Sequence, residues 1–303
     1  MFPLRAFFVV LALGLAAGDA DAQSPGDNSS TRAKPGERAG PWTSARMRQA
    51  TPMPVPIVDS ESVKRPSGER TKVPPEGETQ EHLGSAAPGE KPRDPGKYPL
   101  AWAGKLFFVK PESDSACSGQ FIAPSVVLTA AHCVQDQRTG QYYRNFEFAL
   151  QYDQGKSSER YDWDCVGTKV GWVKEGRPWD YAMILVKGTS PTGHFGWKYG
   201  WQGGYNNGVI IGYPHAIADG QVVQKESGPL KVEGGFVEAK SDPNFGAGSS
   251  GGAWIGDYAS GPTENYVLSV TSYRRKTKPG YKYGPYWDAN FEDLLKYVER
   301  GCR

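Results

Sequence analysis

The chain has 303 residues, more than one ordinary domain needs, and its formal charge is only +2. Acidic and basic side chains are interspersed, so no basic stripe marks a nucleic-acid partner. With four histidines and four cysteines in no paired metal-ligand spacing, neither a metal nor a cofactor is expected.

Residues 1–22 read as a secretory signal. Arg5 precedes an apolar run over 7–17 that is too short to cross a bilayer, and Ala20-Asp21-Ala22 offers small residues at a cleavage point before Gln23. The expected product is secreted or periplasmic, with no stable membrane anchor after cleavage. In an oxidising compartment disulfides become the default state of the four cysteines, and three pairings are open.

From 23 to 97 Pro, Gly, Ser, Glu, Lys and Arg dominate without a sustained apolar period, as in Pro88-Gly89-Glu90-Lys91-Pro92-Arg93. Such a stretch buries too little apolar surface to offset chain entropy, so a disordered pro-segment or linker is expected. It is either a propeptide removed by cleavage at a basic residue or a plain spacer.

A folded domain is expected over 98–303. Short apolar runs at 102–109, 121–130, 142–150, 166–173, 182–186, 209–212, 220–223, 230–239 and 266–273 suit strands, separated by Gly, Pro, Asp and Asn. The strand-helix alternation of a parallel sheet is missing. One helix is predicted at the C-terminus, with Phe291, Leu294, Leu295 and Val298 on one face and Gly301 after them. An all-β barrel or sandwich closed by a C-terminal helix follows.

Three stretches carry chemistry. In Gly248-Ser249-Ser250-Gly251-Gly252, small residues allow a tight turn that exposes a hydroxyl beside backbone N–H groups, as an acyl-transfer nucleophile requires. A base is needed to take its proton. His132 in Thr129-Ala130-Ala131-His132-Cys133 offers one, provided a carboxylate fixes its tautomer. Asp180, which opens the apolar run 182–186 and lies 48 residues after His132, is the best candidate. Asp136, Asp153, Asp162 and Asp164 precede no comparable run.

The segment from Cys117 to Val134, the Trp179-Asp180 strand and the glycine-serine turn, in the order His, Asp, Ser, resemble the trypsin-like (chymotrypsin-fold) serine proteases. Gly208-Val209-Ile210-Ile211-Gly212-Tyr213-Pro214 and the 70-residue interval from Asp180 to Ser250 are similar to the bacterial, glutamyl endopeptidase-like branch. The resemblance implies two six-stranded antiparallel β-barrels with a C-terminal α-helix, and a cleft between the barrels holding His132, Asp180 and Ser250. It further implies a secreted endopeptidase acting through a covalent acyl-enzyme, with the N–H groups of Gly248 and Ser250 binding the oxyanion. It pairs Cys117 with Cys133, which leaves Cys165 for Cys302.

For substrate binding the resemblance points to Ser272, Tyr273 and Arg274 along the strand that pairs with substrate, and to Asn244 at the pocket base. With no carboxylate at 244, a preference for Lys or Arg is not expected. Ser249 stands where these enzymes usually carry the aspartate that pairs with a freed N-terminus. Activation of that kind is therefore not expected, and any control by the pro-segment has to work differently, for example by blocking the cleft. The expected partner is a protein or peptide substrate, and the expected state a monomer. The rival expectation is a non-catalytic relative that binds peptides in the same cleft.

Overall fold

The computed structural model describes residues 29–35, 40–59, 63, 80–82, 99–259 and 265–303. The signal expected over 1–22 lies outside the described residues. Before the predicted domain come β1 (Ser30–Ala33), α1 (Ser44–Gln49), β2 (Thr51–Pro52), β3 (Ile57–Val58) and β4 (Gln80–His82). Residues 29–35 and 40–59 thus differ from the disordered segment that composition suggested. They are ordered by packing on the body of the protein: Trp42, Met47 and Ala50 are buried with Phe107, Ala116, Ala149, Tyr152 and Tyr213. An average over 23–97 dilutes these few apolar anchors among charged and proline-rich neighbours.

The first barrel contains β5 (Ala103–Lys110), β6 (Ser113–Ala123), β7 (Val126–Thr129), β8 (Arg144–Leu150), β9 (Glu159–Lys169) and β10 (Ala182–Val186). Its order is β9-β10-β7-β6-β5-β8, and pairing of β8 with β9 closes it as a six-stranded antiparallel barrel. Alternation along β5 explains its unbroken apolar run. Leu106 and Phe108 enter the main core, while Phe107 faces the cluster under α1. Between β9 and β10 the chain forms α2 (Gly171–Glu175), a helix in place of the strand end expected from the apolar run 166–173.

The second half is a ten-stranded sheet built from β11 (Gly196–Tyr199), β12 (Gly204–Gly212), β13 (Gln224–Glu233), β14 (Phe236–Lys240), β15 (Ala253–Gly256), β16 (Tyr266–Val270), β17 (Tyr273–Arg275) and β18 (Lys278–Pro285), together with β3 and β4. Its order is β3-β17-β18-β14-β13-β12-β15-β16-β11-β4. The two halves make a chymotrypsin-like fold. The run 220–223 is not a strand: Asp219 and Gly220 have φ of 51° and 64°, which turns the chain just before β13.

Helix α3 (Ala289–Glu299) begins at Asp288, whose carboxylate accepts from the Asn290 N–H, and it buries Phe291, Leu294, Leu295 and Val298 as their spacing requires. It packs against β9 and β10. A Cβ placed on Gly167 of β9 would lie 2.9 Å from Val298 Cγ2, so glycine permits this approach. Disulfides join Cys117 to Cys133 and Cys165 to Cys302, the pairing the resemblance implied. No helix among the described residues is long and apolar enough to cross a membrane.

Candidate active site

Strand register brings His132 and Asp180 together. β10 pairs antiparallel with β7, Ala182 opposite Thr129, so the residues before β10 and after β7 overhang the same end of the barrel. His132 sits in a 3₁₀ turn, Ala131–Cys133, pinned by the Cys117–Cys133 disulfide. Asp180 follows a second such turn, Arg177–Trp179. His132 Nδ1 lies 2.9 Å from Asp180 Oδ2, and the His132 backbone N–H donates to Asp180 Oδ1 at 2.9 Å.

Asp180 is fully buried. Burial alone would raise its carboxyl, but His132, Arg177 and the Ser272 hydroxyl outweigh that effect and hold it well below the usual carboxylate range. Arg177 Nη1 reaches Oδ2 at 2.9 Å, and Ser272 Oγ donates to the same oxygen. An ionised carboxylate can only accept, so Nδ1 carries the imidazole hydrogen. His132 Nε2 is left with a lone pair, buried and without a hydrogen-bond partner among the described residues.

The serine turn packs on the histidine turn. Gly251 has φ of +79°, and a Cβ there would lie 2.2 Å from Thr129 Oγ1 and 2.8 Å from the Ala130 nitrogen. Gly248 has φ of +89°, and its Cβ would meet the Tyr213 carbonyl oxygen at 2.4 Å. Only glycine fits both conditions at each place. The Ser118 N–H donates to the Ser250 carbonyl at 2.8 Å, tying the turn to β6. Cys117, His132 and Cys133 also converge, but both sulfurs are committed to the disulfide and no thiolate remains for a metal.

Of the residues expected to bind substrate, Ser272 joins the Asp180 cluster. Tyr273 is buried in a stack with Tyr283 at 5.1 Å between centroids. The Arg274 guanidinium is committed to the 241–245 loop, donating to the Asp242 and Phe245 carbonyls and to Ser241 Oγ. Its backbone N–H faces a different partner, described below. Asn244 is exposed, with its N–H bonded to Asp242 Oδ1.

Two groups at the site carried no sequence signal. Arg177 precedes Asp180 by three residues in a stretch that had no predicted element. Lys282 is fully buried in β18, with Nζ 3.4 Å from Ser249 Oγ and 3.5 Å from Glu226 Oε1. Burial pushes its ammonium down to about 7, against the pull of Glu226. A buried lysine therefore lies against Ser249, the residue that stands where related enzymes usually carry an aspartate. Alternation in β18 marks Lys282 only as one face of a strand, and its burial comes from the packing of other elements.

A third set of contacts comes from residues 51–58. The Gly248 N–H donates to the Met53 carbonyl at 2.7 Å, and Ser250 Oγ donates to the Pro54 carbonyl at 3.3 Å. The Arg274 N–H donates to the Pro56 carbonyl at 2.8 Å.

Comparison with solved structures finds similar folds among proteases. A thermostable serine protease, AL20, from an extremophilic microorganism is 26% identical with a TM-score of 0.58, covering 66% of this chain and 98% of that one. The protease Anisep from Arthrobacter nicotinovorans is 23% identical with a TM-score of 0.56, over 68% of this chain and 97% of that one. A Glu endopeptidase in complex with MPD is 18% identical with a TM-score of 0.56, over 70% and 96%. At their lower identity the last two bear on the fold alone. A search of curated proteins found no significant match. Residues 89–295 match the Trypsin family, and the chain belongs to that family of serine proteases.

Proposed function

We propose that this protein is an exported serine endopeptidase in which Ser250 is the nucleophile, His132 the general base and Asp180 the carboxylate that holds the imidazole. The observation that carries the reading is the buried 2.9 Å contact of His132 Nδ1 with Asp180 Oδ2, beside a serine turn docked on Thr129 and Ala130. With its hydrogen on Nδ1, the imidazole presents Nε2 to take the Ser250 proton. Ser250 Oγ attacks a peptide carbonyl, and the oxyanion is received by the N–H groups of Gly248 and Ser250. As the tetrahedral adduct collapses, His132 returns the proton to the leaving amine. Water then repeats the sequence and frees the acyl group.

The substrate is a protein or peptide, and the chemistry needs no metal or cofactor. Two disulfides suit an oxidising compartment outside the cytoplasm or in the periplasm. A second reading, a cleft that binds peptide without cutting it, draws support from the carbonyls of Met53 and Pro54 seated at Gly248 and Ser250. Fluorophosphonate labelling and peptide-library cleavage separate the two. The endopeptidase reading expects a stoichiometric adduct on Ser250, lost in Ser250→Ala and His132→Ala, together with cleaved peptides. A chain freed of residues 51–58 at the cleft that still gives neither would establish the binding reading instead.

A further inference from the structure

Residues 51–58 span the cleft in extended form, from one sheet edge to the other. At the first barrel, β2 lies parallel to β6 with Thr51 opposite Ser115, and the Met53 N–H donates to the Ala116 carbonyl at 2.8 Å. At the second sheet, β3 lies parallel to β17 with Ile57 opposite Arg274, and the Lys276 N–H donates to the Val58 carbonyl at 3.0 Å. Between these ends the strap covers the reacting groups. Ser250 has no exposed surface and His132 has 5%.

We infer that the cleft is a binding site for this chain's own residues 51–58, and that their occupancy keeps the enzyme latent. The inference rests on the endopeptidase reading above.

The contacts are those of an occupant that stays. Acyl transfer needs one carbonyl group with its oxygen at the Gly248 amide and its carbon at Ser250 Oγ. Here the two positions go to different residues: the Gly248 N–H holds the Met53 oxygen, and the serine hydroxyl donates to the Pro54 oxygen. The hydroxyl hydrogen is thereby directed to the strap, while His132 Nε2 has no partner among the described residues. The strap thus occupies both the Gly248 amide and the Ser250 hydroxyl, the groups a substrate would need.

The strap's sequence fits the same role. Pro52, Pro54 and Pro56 alternate with Met53 and Val55. Proline has no N–H and a fixed φ, so the strap loses little freedom on docking and offers mainly acceptors. The cleft answers with donors from Gly248, Ser250, Arg274 and Lys276. Val55 is buried at 7% exposure in the middle of the span.

An anchor sets the register. Trp42 and Met47 are buried just upstream, and Trp42 Nε1 donates to the Asn145 carbonyl at 2.7 Å. Arg46 forms a two-point pair with Asp114 at 2.6 and 2.7 Å. Tethered in this way, the strap competes at an effective concentration on the order of mM, well above ordinary substrate levels.

The test uses full-length protein and the rate of fluorophosphonate labelling at Ser250, with Ser250→Ala as the blank and near-UV circular dichroism to confirm folding. Val55→Asp places an unpaired charge in the covered cleft and is expected to label at least about tenfold faster than wild type. A synthetic peptide of residues 51–58 should slow that variant again, and the same peptide carrying Val55→Asp should not. Pro54→Gly/Pro56→Gly leaves the anchor and core untouched and should label about fivefold faster or more. It decides the matter if Val55→Asp does not fold. Equal rates in wild type and the folded variants overturn latency and leave the endopeptidase reading standing. Absence of labelling in every folded form removes that reading and latency with it.

Discussion

Arg177 Nη1 meets Asp180 Oδ2 at 2.9 Å, on the same carboxylate oxygen that receives His132 Nδ1 and the Ser272 hydroxyl. Three donors on one buried oxygen keep Asp180 ionised and fix the imidazole that it holds. The arrangement makes the carboxylate a structural element as much as a chemical one.

Its contribution to stability has a definite sign with pH. The folded carboxyl titrates below its ordinary value of 3.8, so the unfolded chain binds the proton first as pH falls. The stabilisation is fully present above about 3.8 and is lost as pH drops toward the folded value. Urea unfolding between pH 2 and 5, ~3 units of range, should show a steeper acid loss in wild type than in Asp180→Asn. In a chain freed of the strap, Asp180→Asn should also slow Ser250 labelling by ~10⁴, because the amide favours the wrong tautomer.

Arg177→Ala removes a cation whose side chain is 16% exposed, so solvent screens part of the loss. About 1 to 2 kcal/mol of stability should go, below the full cost of breaking a buried pair. Ser250 labelling should fall about tenfold, with Arg177→Lys restoring part of it. An unchanged labelling rate would show that His132 and Ser272 suffice to orient the carboxylate.

Gly248→Ala puts a Cβ 2.4 Å from the Tyr213 oxygen at a φ of +89°. The turn must shift, and with it the N–H expected to receive the oxyanion. Peptide cleavage by the strap-freed enzyme should drop by roughly 100-fold or more in kcat with little change in KM.

Lys282 titrates near 7 when folded, against 10.5 for an ordinary lysine. The unfolded chain therefore binds more protons across that window, and stability should rise as pH climbs from about 7 toward 10.5. Lys282→Met should flatten this rise in urea titrations. A slope identical to that of wild type would mean that Lys282 is not the group responsible.

Cys165 and Cys302 are 137 residues apart in sequence, and their disulfide fastens the end of α3 to β9. Cys302→Ser should cost about 3 to 5 kcal/mol, read as a lower thermal midpoint. Ser250 reactivity at low temperature should persist, since the bond joins the end of α3 to β9 rather than to the serine turn.

Much of this protein was legible as a string of residues. The apolar spacing of Phe291, Leu294, Leu295 and Val298 gave α3, because a helix face is written every three or four positions. The His132, Asp180 and Ser250 motifs were legible because each needs a local pattern: a turn after a strand, a carboxylate before one, and glycines where φ is positive. The α2 turn and the false strand at 220–223 were misread because short apolar runs do not distinguish a strand from a turn that packing buries. The exposure of Asn244 was not legible for a related reason, since a count of residues back from the serine fixes no direction for a side chain.

By itself, then, the sequence determined the β-rich class, the terminal helix, the family resemblance and the three motifs that carry His132, Asp180 and Ser250, because these depend on neighbours within a few positions. Tertiary structure alone decided which carboxylate oxygen gathers Arg177 and Ser272, why Lys282 is stripped of water, and where residues 51–58 lie. Those outcomes depend on strand register and on burial by distant segments, and a proline-spaced stretch has no internal pattern that names the cleft on which it docks.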